Sequence, residues 1–547
     1  MAAPSDDPLT HDWQHCGIEG ALAGQAGGCR GLRISGQHAC LAHLSPSGRS
    51  EFLRELAPEA NIDLRGTHID EHLLSQLLDA VRDASGHPSF GAANFIEAVF
   101  PDGADFSGST FESLCFNKAH FGDRAQFKRI RVSESAYLFD LTGTSVITFA
   151  GAVFSGHSLV IEGEFGEGAY FSHVRFESTE TRIGPLVCGD RAVFGGSQFR
   201  SPVSIEISTP YMRCRDTHWS STAAIRLRYA ETDFSNSWFE FPVSVSAAAD
   251  PFTATLGRPV SEALVSGDPG VRFRSMRGVD AANLMLTDID LSDCEFAGAF
   301  HLDQLRLYGN CVFSLSPTGL HLFPIPRRWT IRRTLAEEHH WRASRPAGAT
   351  DGWRTNIDPE RSGQTPGPQH LAALYRELRK ALEDAKNEPG AADFYYGEMG
   401  MRRCDSGAPR SERFLLYLYW ALSGYGLRAL RAISWLLLAM VSTILAMMFW
   451  GLPKDDPKVE STGSLKGQNI VMTTDTPDPV NPDGAYARRL TTERFEKSLR
   501  VVINSVVFRS SGQELTTTGT YAEMASRVSE PVLLGLAVLA VRGRVKR

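Results

Sequence analysis

Between Ala92 and Phe127 a bulky apolar residue returns at nearly every fifth position. Phe95, Phe100, Phe106, Phe111, Phe116, Phe121 and Phe127 are separated by five, six, five, five, five and six residues, and a small residue (Leu114 excepted) stands two places before each. A helix repeats every 3.6 residues and a strand every 2, so neither puts a large side chain at every fifth place. The pattern predicts a coil with four sides of five residues, twenty residues to the circuit, each Phe pointing inward from its side. Coils stack at the strand spacing of about 4.8 Å, so every inward ring packs on rings above and below and no coil is stable alone.

The same rhythm extends in both directions. ANIDLRG at 60 to 66 is a first side, and Leu73, Leu74, Leu77, Leu78 and Val81 then fall at helical spacing, predicting a helix over 71 to 81. That helix either caps the first coil or belongs to a separate N-terminal domain. From Phe90 to Glu240 the repeat loosens over seven or eight coils, with loops at corners where its register slips, at 177 to 185 and 209 to 228. PFTATLGRPVSEALVSGDPG, near 247 to 270, breaks it as an insertion. It returns in AANLMLTDIDLSDCEFAGAF at 281 to 300, where Leu284 and Phe296 are further core positions, and runs to Phe323 before PIP. Ala93-Asn94-Phe95, Ala104-Asp105-Phe106 and Ala282-Asn283-Leu284 resemble the A(D/N)(F/L)xx units of the pentapeptide-repeat family. The resemblance implies a right-handed quadrilateral β-helix over residues 60 to 323.

Residues 324 to 413 read as a helical connector. RRWTIRRTLAEEHHWR is one candidate helix, followed by a Gly/Pro/Thr-rich linker. QHLAALYRELRKALEDAK places Leu371, Leu374, Tyr375, Leu378 and Leu382 on one face. ADFYYGEMGMRR begins the partner of an αα-hairpin.

The remainder, 414 to 547, reads as a membrane module. Ala432 to Trp450 is 19 residues without a charge, enough for a bilayer core of about 30 Å, with Trp435 and Trp450 near its ends and Arg428 and Arg431 just before it. A second apolar stretch, the 11 residues Pro531 to Val541 of a span at about 525 to 541, ends in RGRVKR, and both basic ends point to the cytoplasm. FLLYLYWALSGYG at 414 to 426 is too short to span, so it lies in the interface or against the bundle. Between the spans come a polar loop, 451 to 492, expected to be external and flexible, and a short apolar helix, 498 to 509. This order resembles the two-transmembrane pore module of tetrameric cation channels. Thr516, Thr517, Thr518, Gly519, Thr520 and Tyr521 would then stand where a filter of the TVGYG type lies. Extended backwards, the second span takes in Glu523, Arg527 and Glu530, each costly in lipid unless buried or wetted. The fold class expected is thus mainly a β solenoid, followed by an α-helical hairpin and a two-helix transmembrane module.

Composition changes this picture at three points. Nine cysteines at irregular spacing, and a start without an apolar leader, argue for reduced thiols in a cytosolic bulk inserted through internal segments. In the glycine-rich residues 1 to 59, Cys40 and His43 form C-x-x-H, and Cys16 and Cys29 would complete a tetrahedral Cys3His zinc site. The alternative is ordinary thiols in a loosely packed lead-in. Over 90 to 240 the chain carries 18 acidic and 13 basic residues, a net charge of -5. That is too mild for a mimic of duplex DNA that binds type II topoisomerases, as some soluble members of the family do, and no nucleic-acid partner is expected.

No enzymatic constellation stands out. His157 and Ser158 in GHSLV lack the last glycine of a nucleophile elbow, and GGSQF lacks the Lys-Ser/Thr of a phosphate loop. Glu337, Glu338, His339 and His340 are read as a solvated helix face. The function expected is a two-pass protein of the plasma (inner) membrane. Its cytosolic solenoid binds a protein partner or its own copies, as a tetramer if the channel likeness extends to assembly. The alternative is a cation channel gated by the solenoid.

Overall fold

The computed structural model describes residues 13–18, 28–255, 257–321, 327–329, 331–345, 352–355, 365–454, 460–466, 469–475, 478–481, 485–506 and 512–545. These form two compact units, Met1–Phe394 and Tyr395–Arg547. The helices are α1 (Pro46–Glu55), α2 (Glu71–Ala80), α3 (Ala336–Ala343), α4 (Pro368–Asp384), α5 (Glu388–Cys404), α6 (Arg410–Ser423), α7 (Ala429–Ala446), α8 (Thr492–Val506) and α9 (Thr517–Val545).

The first unit is a β-solenoid of about ten turns built from parallel strands. Register shows how the repeat drives it. Phe90 pairs with Phe111, 21 residues on, Ala136 with Leu159, 23 on, and Val203 with Ala223, 20 on. Added residues go into corners or are absorbed as bulges, as between Ile161 and Gly163 or Ile183 and Leu186. This is why the pattern appears to decay in the middle of the chain although the coils continue. Inside, like stacks on like: Phe90 on Phe111 at 4.9 Å, Phe95 on Phe116 at 4.8 Å, Phe100 on Phe121 at 5.1 Å and Phe106 on Phe127 at 5.4 Å. Four such ladders leave one coil for the next, one for each side. Phe127, Phe149, Phe171 and Phe194 continue one of them. All of these rings, with Leu284 and Phe296, are buried. One corner is turned in every coil by a residue of left-handed φ, with Gly108, Arg129, Gly151, His173 and Gly196 in succession.

Both ends are covered. The strand Ala60–Asp63 starts the ladder, and α2 stands in the chain where the first coil's last two sides would be, its Leu73, Leu74 and Leu77 buried. The far end departs from expectation. Among the described residues the last parallel strand is Arg306–Tyr308, followed by one parallel bridge from Asp290 to Val312, because Ser314–Leu315 then turns to pair antiparallel with Arg333–Thr334; Phe323, the expected end, lies outside the described residues. The helix expected over RRWTIRRTLAEEHHWR is likewise divided. Arg327–Trp329 and Arg333–Thr334 are strands, and only Ala336–Ala343 is helical. Pairing with an available strand edge outweighs local helical propensity there. The PIP boundary and most of the linker after Arg345 lie outside the described residues. The apolar face expected on α4 is buried at every named position, and Tyr375 packs on Phe394 of α5. The insertion returns to the wall it left. Glu262 accepts from Ser208 at 2.8 Å and Arg228 at 2.7 Å, and Thr255 donates to Glu162.

In the second unit, Ala429–Gly451 and Thr517–Arg542 are long and apolar enough to cross a membrane, at 23 and 26 residues, with only 17% and 28% of their apolar windows buried. Both exceed the stretches read from hydropathy. The expected flexible loop holds an antiparallel hairpin, Glu460–Lys466 with Asn469–Asp475. The short apolar helix begins earlier, at Thr492, and residues 507–509 of its expected range lie outside the described residues.

Replacing Phe116, which contacts rings in its own coil and both neighbours, by alanine is expected to cost about 3–5 kcal/mol in denaturant unfolding. Glu112→Ala, at an exposed site, is expected to stay within about 0.5 kcal/mol.

Candidate metal centre

Cys16, Cys29, Cys40 and His43 converge although they span 28 residues of glycine-rich chain. Their ligand atoms all lie within 4.8 Å of one another. Backbone bonds fold the segment back on itself: the Cys16 amide donates to Gly31 O and the Gly17 amide to Cys29 O, both at 2.8 Å. Cys40 precedes a short helical turn, Leu41–His43, which brings His43 back beside it. The three sulfurs are buried and His43 is half-buried.

Three of the six separations lie close to those that one ion at the centre would set. Zinc bonds sulfur at about 2.3 Å and imidazole nitrogen at about 2.05 Å, so a tetrahedron sets S···S near 3.8 Å and S···N near 3.5 Å. Observed are Cys29 Sγ to Cys40 Sγ at 3.7 Å, Cys40 Sγ to His43 Nδ1 at 3.4 Å and Cys16 Sγ to His43 Nδ1 at 3.7 Å. The Gly31 amide donates to Cys29 Sγ at 3.3 Å, and a Cβ on Gly31 would strike Cys40 Sγ at 2.8 Å. Only glycine fits against the cluster. Burial, and the charge of neighbouring thiols after it, push Cys40 up to about 12. A divalent ion removes that penalty by taking the sulfurs as thiolates.

The knuckle is docked on the solenoid's first coil. Leu32 N donates to Arg65 O at 2.8 Å, Trp13 Nε1 donates to Arg30 O at 2.9 Å, Arg30 pairs with Glu97 at 2.9 Å, and the Arg65 guanidinium lies over Trp13.

The run Glu337 to His340 is not a solvated face, which corrects the sequence reading: Glu337, Glu338 and His339 are buried. Glu338 accepts from Arg332 at 2.5 Å, Arg342 at 2.6 Å and the Tyr375 hydroxyl. Burial alone would raise its carboxyl, but the two arginines outweigh burial and hold it at about 2. His339 bonds the hydroxyls of Ser314 and Thr334, and burial lowers it to about 4. Glu337 accepts from the amide of Phe296, and burial raises it to about 7. Arg332 and Arg342 are local partners, six and four residues from Glu338, but Tyr375, which closes the knot, arrives from 37 residues away.

The pore-like residues are placed differently from the expectation. Thr517 to Tyr521 form the first turns of α9 rather than an open filter turn. Thr516 starts the helix by accepting from Gly519 N at 3.2 Å, and its hydroxyl donates to Trp450 O at 2.6 Å. Gly519 lies against Gly451 so closely that a Cβ would come within 2.4 Å of Gly451 O, so it serves helix contact. Tyr521 is exposed. The costly acids are satisfied. Glu523 pairs with Arg527 at 2.9 Å, and Glu530, fully buried, accepts from Thr443 of α7 at 2.9 Å and from Ser505 of α8.

Comparison with protein-family models, with curated proteins and with solved structures finds no match.

Two outcomes are expected. The purified chain carries close to one zinc per chain by elemental analysis, and Cys40→Ser or a chelator removes it and lowers the melting temperature. Glu337 titrates in the opposite sense to its neighbours. Its folded value lies above the ordinary 4.5, so its contribution is present below about pH 4.5 and is lost as pH rises through about 7. Those of Glu338 and His339 are lost as pH falls, below 4.5 and 6.5 respectively. Between about pH 5 and pH 8, Glu337→Gln therefore gains up to about 3 kcal/mol relative to the native chain, read from unfolding midpoints.

Proposed function

We propose that this protein is a membrane-anchored solenoid whose walls bind a protein partner or further copies of the chain, with a structural zinc closing the N-terminal end. The observation that carries the reading is the pair of membrane-length helices, mostly unburied, in a chain whose β-solenoid has both ends covered. Covered ends leave the walls as the surface available for binding. They carry exposed aromatic side chains, Trp238 and Phe241 three residues apart and Tyr211, of the kind that anchors interfaces. Arg428 and Arg431 before α7, and the RGRVKR run ending the chain, favour a two-pass arrangement in the plasma (inner) membrane with solenoid and C-terminus in the cytoplasm.

Anchorage is favoured over conduction. The residues that would line a filter instead cap and pack a helix, and Gly519 is occupied by its contact with Gly451. The second unit then serves as a degenerate channel-like module. The mild charge of the solenoid does not favour DNA mimicry.

The protein is expected to stay in the membrane fraction through an alkaline carbonate wash. Purified in detergent, it is expected to run as an oligomer or with a bound protein by light scattering, and the Trp238→Ala/Phe241→Ala double variant to lose that association at least tenfold in affinity. A carbonate-soluble chain, or a bare monomer that passes ions in planar bilayers, would overturn the reading.

A further inference from the structure

α6 has no partner for most of its surface. Leu416 and Ser423 face inward, but Phe414 is 68% exposed and Leu415 64%, with Tyr417 and Leu418 also open. A continuous apolar run exposed to this degree is unsuited to water. A tight turn of left-handed residues, Gly424, Tyr425 and Gly426, leads from its end directly into α7, so the apolar surface of α6 continues into that of a membrane-length helix.

Cations surround this surface. Arg410 and Arg413 are exposed in the first turn of α6. At its other end, the Trp420 ring has two guanidinium groups against it, Arg403 at 4.3 Å and Arg431 at 5.2 Å. Arg431 also donates to Trp420 O at 2.8 Å. Among the described residues no carboxylate pairs with any of these four arginines, and Glu412 is taken by Arg402 at 2.8 Å. Both indoles are tied down, Trp420 Nε1 donating to Tyr396 Oη and Trp435 Nε1 to Ala421 O, beside the first two turns of α7, where an aromatic belt belongs.

We propose that α6 lies in the headgroup layer of the bilayer and binds anionic phospholipid, its apolar face among the acyl chains and Arg403, Arg410, Arg413 and Arg431 on the phosphates. The inference rests on the membrane-anchored reading. Unpaired cations beside an exposed apolar face are the charge and shape complement of an acidic leaflet. The continuity with α7 selects a bilayer over a soluble partner, since hydrocarbon must already surround that helix.

The test uses the full chain reconstituted in equimolar phosphatidylglycerol and phosphatidylcholine, then extracted in detergent, with retained lipids quantified by mass spectrometry. Phosphatidylglycerol is expected to be enriched about fivefold or more. Enrichment falls as salt rises, falls again in Arg410→Gln/Arg413→Gln, and is unchanged by excess inorganic phosphate. Retained lipid of bulk composition overturns the proposal while leaving anchorage intact. Enrichment indifferent to salt and to the substitutions overturns the assignment to these arginines. Loss to inorganic phosphate means a free-anion site instead. Release of the native chain by alkaline carbonate overturns the anchorage and this inference together.

Discussion

A coincidence of two lengths governs the solenoid. Parallel strands hydrogen-bond at about 4.8 Å, and flat aromatic rings stack at nearly the same distance, as separations of 4.7 to 5.4 Å along most of its Phe ladders show, Phe154 to Phe176 at 6.2 Å being wider. Backbone pairing and side-chain packing are therefore satisfied by the same translation from coil to coil. Wherever a coil gains a residue, the extra length goes into a bulge or a corner, since slipping the ladder would cost both terms at once.

That economy leaves a problem at each end, where a coil has neighbours on one side only. The two ends are closed by different chemistry. At the start, α2 buries Leu73, Leu74 and Leu77, and a Cys3His knuckle able to hold a metal ion lies against Arg65 and Glu97. At the finish, Glu338 and Arg342 of α3, Tyr375 of α4 and Arg332 from the chain just before α3 meet in one bonded knot around the buried Glu338 carboxylate. Removing a single member of such a knot strands a buried charge, so it specifies one position of the cap more strongly than it adds to stability.

The second unit repeats the theme of close approach. Gly451 and Gly519 let α7 and α9 touch through backbone, as small residues do between helices in lipid. Glu530 is tolerable in an apolar bundle because hydroxyls from two other helices face it.

What the amino-acid sequence determined by itself was periodic or compositional. The five-residue rhythm specified the solenoid and its inward Phe residues. Helical spacing specified the buried faces of α2 and α4, uncharged length specified α7, a short apolar stretch before a basic run marked α9, and thiol and imidazole chemistry marked Cys16, Cys29, Cys40 and His43. Each of these signals is local, and one physical period or donor type carries it. Tertiary structure alone decided that Glu337 to His339 are interior, because Phe296, Ser314 and Tyr375 reach them only after the chain has folded back. It also decided that Arg327–Trp329 pairs as a strand, where an open edge overrode helix propensity. It turned the Thr-rich stretch at 516 to 521 into a helix start, because Gly519 has a backbone to pack against. Contacts between distant segments leave no periodic trace, so the caps and the helix crossing could be read only from the folded chain.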